Sequence, residues 1–196
     1  MIHPKEEKTL VLIKPDGVKR GLIGEIISRI EKRGLKIIGL EMIKAAPEQI
    51  DEHYPKDEKW IKRLGEKTLE NYKSYGFDAK KELGSEDPLE IGKMVRGWLI
   101  DYLTSGPMVK IAVKGIHAVN MVRKLVGKSM PAEAEMGTIR GDFSVDDATA
   151  ANRDKRAIHN IIHASETLEE AEHELKLWFG LEEIYDYKRA EEDIMF

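Results

Sequence analysis

Thr9-Leu10-Val11-Leu12-Ile13-Lys14-Pro15-Asp16-Gly17 is the stretch on which the fold turns. Its first five residues form an uninterrupted β-rich apolar run, the pattern of a strand buried on both faces, and the last four stop it with turn chemistry. A central strand therefore ends at a lysine. Beyond it, Leu22, Ile23, Ile26, Ile27 and Ile30 recur at helical spacing between Gly21 and Arg33, and Gly34 supplies a C-terminal cap. Leu35 to Ile43 is rich in isoleucine and leucine and too short for a second long helix, so it reads as the next strand.

Working outward, a third strand is expected over Val109 to Val113, after Ser105-Gly106-Pro107. A helix follows over His117 to Val126, with Ala118, Met121, Val122 and Leu125 on one face and Arg123 pointing away from it. The glycine-containing loop Gly137-Thr138-Ile139-Arg140-Gly141-Asp142-Phe143 leads to Asn160-Ile161-Ile162-His163, which reads as a short strand. Thr167-Leu168-Glu169-Glu170 spells a capping box for a last helix that buries Leu168, Ala171, Leu175 and Trp178. At about 100° per residue, Glu174 falls about 40° beyond Trp178, on the edge of that stripe, while His173 points outward.

The stretch from Pro55 to Leu103 far exceeds an ordinary connection and carries Trp60, Tyr72, Tyr75, Phe77 and Trp98 among many charges. Asp87-Pro88-Leu89-Glu90 is a helix start, and Ile91, Met94, Val95, Trp98, Leu99 and Tyr102 make an apolar face, so two helices are expected here, inserted between strands. Arg189 to Phe196 is linker-like and expected to be poorly ordered.

The 196 residues suit one domain carrying an insertion better than two independent domains. The 32 basic and 36 acidic side chains leave a net charge of −4, so no positive field is available for non-specific nucleic-acid binding, and nucleic acid is not an expected partner. Absence of cysteine excludes disulfides, thiolate nucleophiles, iron–sulfur clusters and thiolate zinc sites. The apolar runs fall well short of the roughly 20 residues that span a bilayer, which leads to the expectation of a soluble, cytoplasmic protein.

Histidine, lysine, serine and carboxylate chemistry remains. Lys14, Arg123 and Arg140 each sit at the end of an element or in a glycine-flanked loop, where three cations suit a polyphosphate; any one alone reads more readily as a solvated surface charge, and only their combination with His163 changes that. His163 follows two isoleucines and precedes the small Ala164 and Ser165, leaving room beside an imidazole that is roughly three-quarters neutral at pH 7 and able to attack phosphorus unaided. Cations nearby favour the neutral ring, and Glu174 would orient it. Taken alone, a histidine reads by default as a packed one with both nitrogens satisfied. His159 and His163, four apart, form a weak metal-ligand pair that no third group completes. Neither G-x-x-x-x-G-K-[ST] nor G-x-G-x-x-G occurs, so any phosphate site is of another kind.

Ile13-Lys14-Pro15-Asp16-Gly17-Val18 followed by Arg20-Gly21-Leu22-Ile23-Gly24-Glu25-Ile26 closely resembles the nucleoside diphosphate kinase family. His53-Tyr54, Ser105-Gly106-Pro107, Gly137 to Phe143, Asn160 to Ser165 and Leu177-Trp178-Phe179 match family landmarks in the same order. The resemblance implies an α/β (α+β) fold, a ferredoxin-like sandwich with a four-stranded antiparallel sheet, spanning residues 1–187 with a helical insertion at about 55–103 and a tail at 188–196. It implies transfer of the γ-phosphoryl of a nucleoside triphosphate to a nucleoside diphosphate through a phosphohistidine. By resemblance His163 is the nucleophile, Glu174 positions it, Ser165 bonds that carboxylate, and Tyr54 lies beside the nucleophile. Lys14, Arg123, Arg140 and Asn160 match phosphate and sugar contacts, and Ser129 stands where a phosphate-binding threonine is common. Trp60, or alternatively Leu64, takes the base-stacking position, with Ala157 on the other side. Magnesium is expected on the nucleotide phosphates with no direct protein ligand, Glu166 reaching it through water. A homo-oligomer, hexamer or tetramer, is expected by the same analogy. A scaffold protein using the inserted helices is the competing reading.

Overall fold

The structure is a computed structural model that describes residues 5–190 and 192 of the chain. Strands β1 (Glu6–Ile13), β2 (Lys36–Ile43), β3 (Met108–Ile116) and β4 (Ile162–Ala164) form one antiparallel sheet in the order β2-β3-β1-β4. This is the expected α+β sandwich, and β1 is a central strand. Leu10, Val11, Leu12 and Ile13 are all 0 % exposed, and their two-residue period explains why. Val11 and Ile13 join a core with Ile26, Ile30, Ala118 and Val122, whereas Leu10 and Leu12 join a second core with Ile50, Leu103, Leu175 and Trp178.

The helices are α1 (Pro15–Lys19), α2 (Ile23–Lys32), α3 (Pro47–His53), α4 (Glu58–Ser74), α5 (Ala79–Leu83), α6 (Pro88–Thr104), α7 (Ala118–Val126), α8 (Ile139–Phe143), α9 (Ala148–Arg153) and α10 (Leu168–Trp178). The first core places α2 and α7 on one face of the sheet; the second places α3, α6 and α10 on the other. Beyond α2, Gly34 adopts φ 85° and Leu35 N–H bonds back to the Ile30 carbonyl, which closes the helix at the expected glycine.

Several expectations are corrected. β1 begins at Glu6 rather than Thr9, because its ladder with β3 continues through polar residues, with Glu6 paired to Lys114 at 3.0 Å. Lys14-Pro15-Asp16-Gly17 is not a plain turn: Pro15 opens α1. The strand expected from Asn160 begins only at Ile162, after a γ-turn. Leu168 is 46 % exposed rather than buried, and Ala171 is the first residue of α10 to be buried. The tail is tied down where it is described: Arg189 donates to the Leu35 carbonyl at 2.9 Å and Glu192 pairs with Lys36 at 2.8 Å. Residues 191 and 193–196 of the tail lie outside the described residues. No helix among the described residues is long and apolar enough to cross a membrane.

The two expected inserted helices are α4 and α6, joined through the short α5. Asp57, Asp78 and Asp87 cap the three by accepting backbone N–H groups. Helices α4 and α6 touch backbone to backbone: a Cβ on Gly65 would lie 1.8 Å from the Pro88 carbonyl oxygen, and one on Gly92 would lie 1.9 Å from that of Ile61. Around this contact Tyr72, Ala79, Leu83 and Ile91 close a small third core, while Tyr102 and Leu103, at the far end of α6, enter the sheet core. Gly92→Ala is expected to lose about 1–3 kcal/mol by overpacking. Gly24→Ala, at an exposed helical position with nothing within 4 Å, is expected to gain up to about 1 kcal/mol. Thermal unfolding of the two variants beside the parent measures both, and equal melting temperatures for Gly92→Ala and parent would contradict the close contact.

Candidate active site

The site begins where β1 ends. Lys14, 6 % exposed, donates from Nζ to Asn160 Oδ1 at 2.6 Å and lies 5.5 Å above the Tyr102 ring. Burial, with Arg140 adding to it and Asp16 opposing, lowers its amine to about 7. Next to it, Asp16 accepts from the Tyr102 hydroxyl and, at 3.0 Å, from Ile161 N–H. Ile161 has φ 69°, and Ile162 N–H reaches the Asn160 carbonyl at 2.7 Å, which makes a γ-turn with a β-branched residue at its centre. The turn ends in β4, whose middle residue, His163, pairs with Leu12 of the central strand.

His163 Nε2 meets both oxygens of Glu174, at 2.8 and 3.0 Å, so its Nδ1 carries the free lone pair. Glu174 is 1 % exposed on α10, and its Oε2 accepts from Ser165 Oγ at 2.6 Å; Ser165 in turn accepts from Leu10 N–H at 3.3 Å. The His163 ring is held well below its ordinary pKa by burial and by Lys14, Arg140 and Arg123, while burial raises that of Glu174 against the pull of His53 and the Ser165 hydrogen bond. The ring is therefore neutral at pH 7.

Arg140, in the first turn of α8, is 7 % exposed and spends its guanidinium on three carbonyls: Asn160 at 3.3 Å, Gly127 at 2.9 Å and Ile162 at 2.7 Å. Burial and Arg123 lower it to about 10. Arg123, on α7, is exposed and pairs with Glu166 at 3.3 Å. His163, Glu174, Arg123 and Arg140 face a cleft of about 1070 Å³ lined also by Tyr54, Trp60 and Ser129, among others. Tyr54 and Trp60 stack at 6.0 Å and 27°. Lys14, Asn160 and Ser165 do not line this cleft, although Asn160 donates to the Ser129 carbonyl at 3.0 Å. Leu64 is not on its wall, and Ala157 is packed in the sheet core, too deep to form the far side of a base slot.

The sequence reading assigned no role to His53. Its ring stands edge-on to that of His163 at 4.6 Å, its Nδ1 accepts from Trp178 Nε1 at 3.2 Å, and burial holds it well below the usual imidazole range. Adjacency to Tyr54 was its only signal. His53, His163 and Glu174 bring ligand atoms within 4.8 Å of one another, the metal-type cluster found among the described residues. Of these, His53 Nδ1 accepts from Trp178, and the Glu174 oxygens are engaged by His163 Nε2 and Ser165. The pair His159–His163 is not formed, because the γ-turn separates them and His159 packs on Tyr102 at 5.0 Å.

The nucleoside diphosphate kinase family model matches residues 7–67 and 90–184, leaving 68–89, the end of α4 through the start of α6, outside it. A nucleoside diphosphate kinase of Pyrobaculum aerophilum is 48 % identical over 180 residues, 92 % of this chain and 98 % of that protein. The crystal structure of an NDP kinase from Pyrobaculum aerophilum superposes with a TM-score of 0.89 at 46 % identity, covering 92 % of this chain and all of that one. A Borrelia burgdorferi nucleoside-diphosphate kinase, solved as a transition-state mimic with vanadate and ADP, superposes at 0.80 with 33 % identity, covering 97 % of this chain and 96 % of that one.

Two buried neutral histidines make the fold sensitive to acid. Unfolded, each takes up a proton near 6.5; folded, each does so only well below that, so the unfolded chain binds more protons in between and stability falls as pH drops below 6.5. Imidazole nitrogen NMR of the folded protein is expected to show His163 neutral, with its proton on Nε2, from about pH 8 to about pH 5. A His163 titration midpoint near 6.5 would contradict this arrangement.

Proposed function

The chain belongs to the nucleoside diphosphate kinase family, and on that premise we propose that it moves the γ-phosphoryl of a nucleoside triphosphate to a nucleoside diphosphate through a phosphohistidine at His163, in two half-reactions at one cleft. The observation that carries the reading is the bond from His163 Nε2 to Glu174, which fixes the tautomer and leaves Nδ1 as a nucleophile that needs no base. The Nδ1 lone pair attacks the γ-phosphorus, the bond to the β–γ bridging oxygen breaks, and the nucleoside diphosphate leaves with those electrons. The imidazole becomes cationic as the P–N bond forms, and Glu174 stabilises that charge. A second diphosphate reverses the sequence.

Such a transition state is loose and spreads charge over the phosphoryl oxygens, so positioned cations do most of the work. Lys14, Arg123 and Arg140 take that role, with Asn160 and Ser129 as polar phosphate and sugar contacts and Tyr54 beside the nucleophile. Lys14, lowered to about 7 in the free protein and outside the cleft lining, is favoured in its protonated form as phosphate charge entering the cleft offsets the field of Arg140. Trp60, stacked on Tyr54 at the cleft wall, is the platform for the base, whose π-face any nucleotide offers. Magnesium would come with the nucleotide phosphates and supply charge neutralisation. The oxygen donors of the rim suit it, Glu166 holding it through water, whereas the nitrogen-rich cluster of His53, His163 and Glu174 does not.

A homo-oligomer, hexamer or tetramer, belongs to the same proposal. Edge strand β2 leaves Leu40 and Met42 49 % and 56 % exposed past the point where Tyr185 and Tyr187 cover its first residues, a surface on which a second copy fits. A cytoplasmic setting, where nucleoside triphosphates abound, suits the reaction.

Incubation with γ-labelled ATP and magnesium is expected to place an acid-labile, alkali-stable label on His163 that any nucleoside diphosphate removes. His163→Ala should take up no label. Glu174→Gln should slow labelling about 10- to 100-fold, the worth of a hydrogen bond to a charged group. Wild-type protein that binds nucleotide and stays unlabelled would overturn the proposal.

A further inference from the structure

We infer that Arg96 is a positioning residue that fixes the Tyr54 and Trp60 wall of the cleft from outside it. It lies on α6, one turn beyond Gly92, with its side chain 13 % exposed. Its guanidinium is committed to one short stretch of chain, residues 51–55. Nη1 pairs with the Asp51 carboxylate, Nη2 donates to the carbonyls of Asp51 at 2.8 Å and Tyr54 at 3.4 Å, and Nε donates to that of Pro55 at 3.3 Å.

The stretch it grips is the C-terminal end of α3, where the last carbonyls of a helix have no partner of their own. Tyr54 leaves the helix there with φ −91° and ψ 140°, and its ring turns into the cleft against Trp60. His53, one residue earlier, has an independent hold through Trp178. For Tyr54, the anchors on the backbone are its own N–H to Ile50 and the Arg96 bonds that bracket it. Trp60 is fixed by the same helix on another route: it lies in the first turn of α4, whose Ile61 carbonyl touches Gly92 of α6. Helix α6 thus sets both halves of the aromatic wall, Trp60 through the glycine contact and Tyr54 through the arginine fork. Bonds to three carbonyls and one carboxylate need a planar multi-donor group, which a lysine does not offer.

The inference rests on the reading of this cleft as a nucleotide site with the base against Trp60, and the test separates the two. His163 phosphorylation is followed in single turnover with two donors: ATP with magnesium, which uses the wall, and phosphoramidate, which carries a phosphoryl group and no base. The proteins are wild type, Trp60→Ala, Arg96→Met and Arg96→Lys. Arg96→Met is expected to raise the half-saturating ATP concentration about tenfold, to leave the maximal rate within about twofold, and to leave the phosphoramidate rate unchanged. Arg96→Lys, which keeps only the pairing with Asp51, should fall between it and wild type. It also carries the test should the methionine variant not fold.

Unchanged ATP saturation in the Arg96 variants, with Trp60→Ala raised, overturns the role of Arg96 alone. Equal losses with ATP and phosphoramidate also overturn it, because they mark a general loss of structure. No effect of Trp60→Ala on ATP saturation, or no labelling of the wild type by ATP, overturns the underlying site reading instead.

Discussion

Ile161 is held at φ 69°, a conformation that a β-branched residue adopts at a cost of about 1–3 kcal/mol, and the arrangement of the cleft follows from that one constraint. Asp16 accepts its N–H, Lys14 N–H donates to its carbonyl at 2.8 Å, and its side chain is wholly buried in the sheet core. With backbone and side chain both engaged, the turn has no relaxed alternative that keeps these partners. Its effect is to deliver the chain into β4 with His163 opposite Leu12 and its ring against Glu174. An extended Asn160–Ile162 would lose the γ-turn bond and the approach of Asn160 to Lys14.

The electrostatics of the cleft are those of a site awaiting an anion. Lys14, Arg123 and Arg140 each depress the pKa of the His163 ring, and Arg140 depresses that of Lys14 as well. Gathering them is unfavourable, and the fold meets the cost with hydrogen bonds: Arg140 to three carbonyls, Lys14 to Asn160. A phosphate chain bound as proposed would relieve the remaining repulsion, so the repulsion would favour its binding. The same field keeps the imidazole neutral, which the proposed nucleophilic role requires, and in that proposal Glu174 stabilises the charge that appears once a bond to phosphorus forms.

Helix α6 connects the parts that differ most in sequence character. Its first turns close the small core of Tyr72, Leu83 and Ile91, in a segment partly outside the family model; its last turn carries Tyr102 to Asp16 and so to the strained turn. Residues 68–89, which the family model leaves out, reach the body of the protein a second time through α9, where Tyr72 donates to the Asn152 carbonyl at 3.0 Å and Asn71 meets Thr149 at 3.2 Å. The insertion is braced at both ends.

The four strands, the longer helices and most of their buried faces are legible in the sequence, whereas the short helices α1, α3, α5, α8 and α9 are not. The apolar run at Leu10 to Ile13, the helical stripe of α2 with its glycine stop, and the Asp87 start of α6 are written in neighbouring residues, because periodicity and capping act over a few positions. The resemblance of short motifs pointed to which residues to watch. It could not show that Lys14 pairs with Asn160, 146 positions away, or that His53 stands edge-on to His163. Nor could it find the γ-turn: Asn160-Ile161-Ile162 reads as strand because an apolar pattern carries no record of the sign of φ. That sign, and with it the direction of the His163 ring, is decided by Asp16 and Lys14 arriving from the far end of the chain, which is why only the tertiary structure contains it.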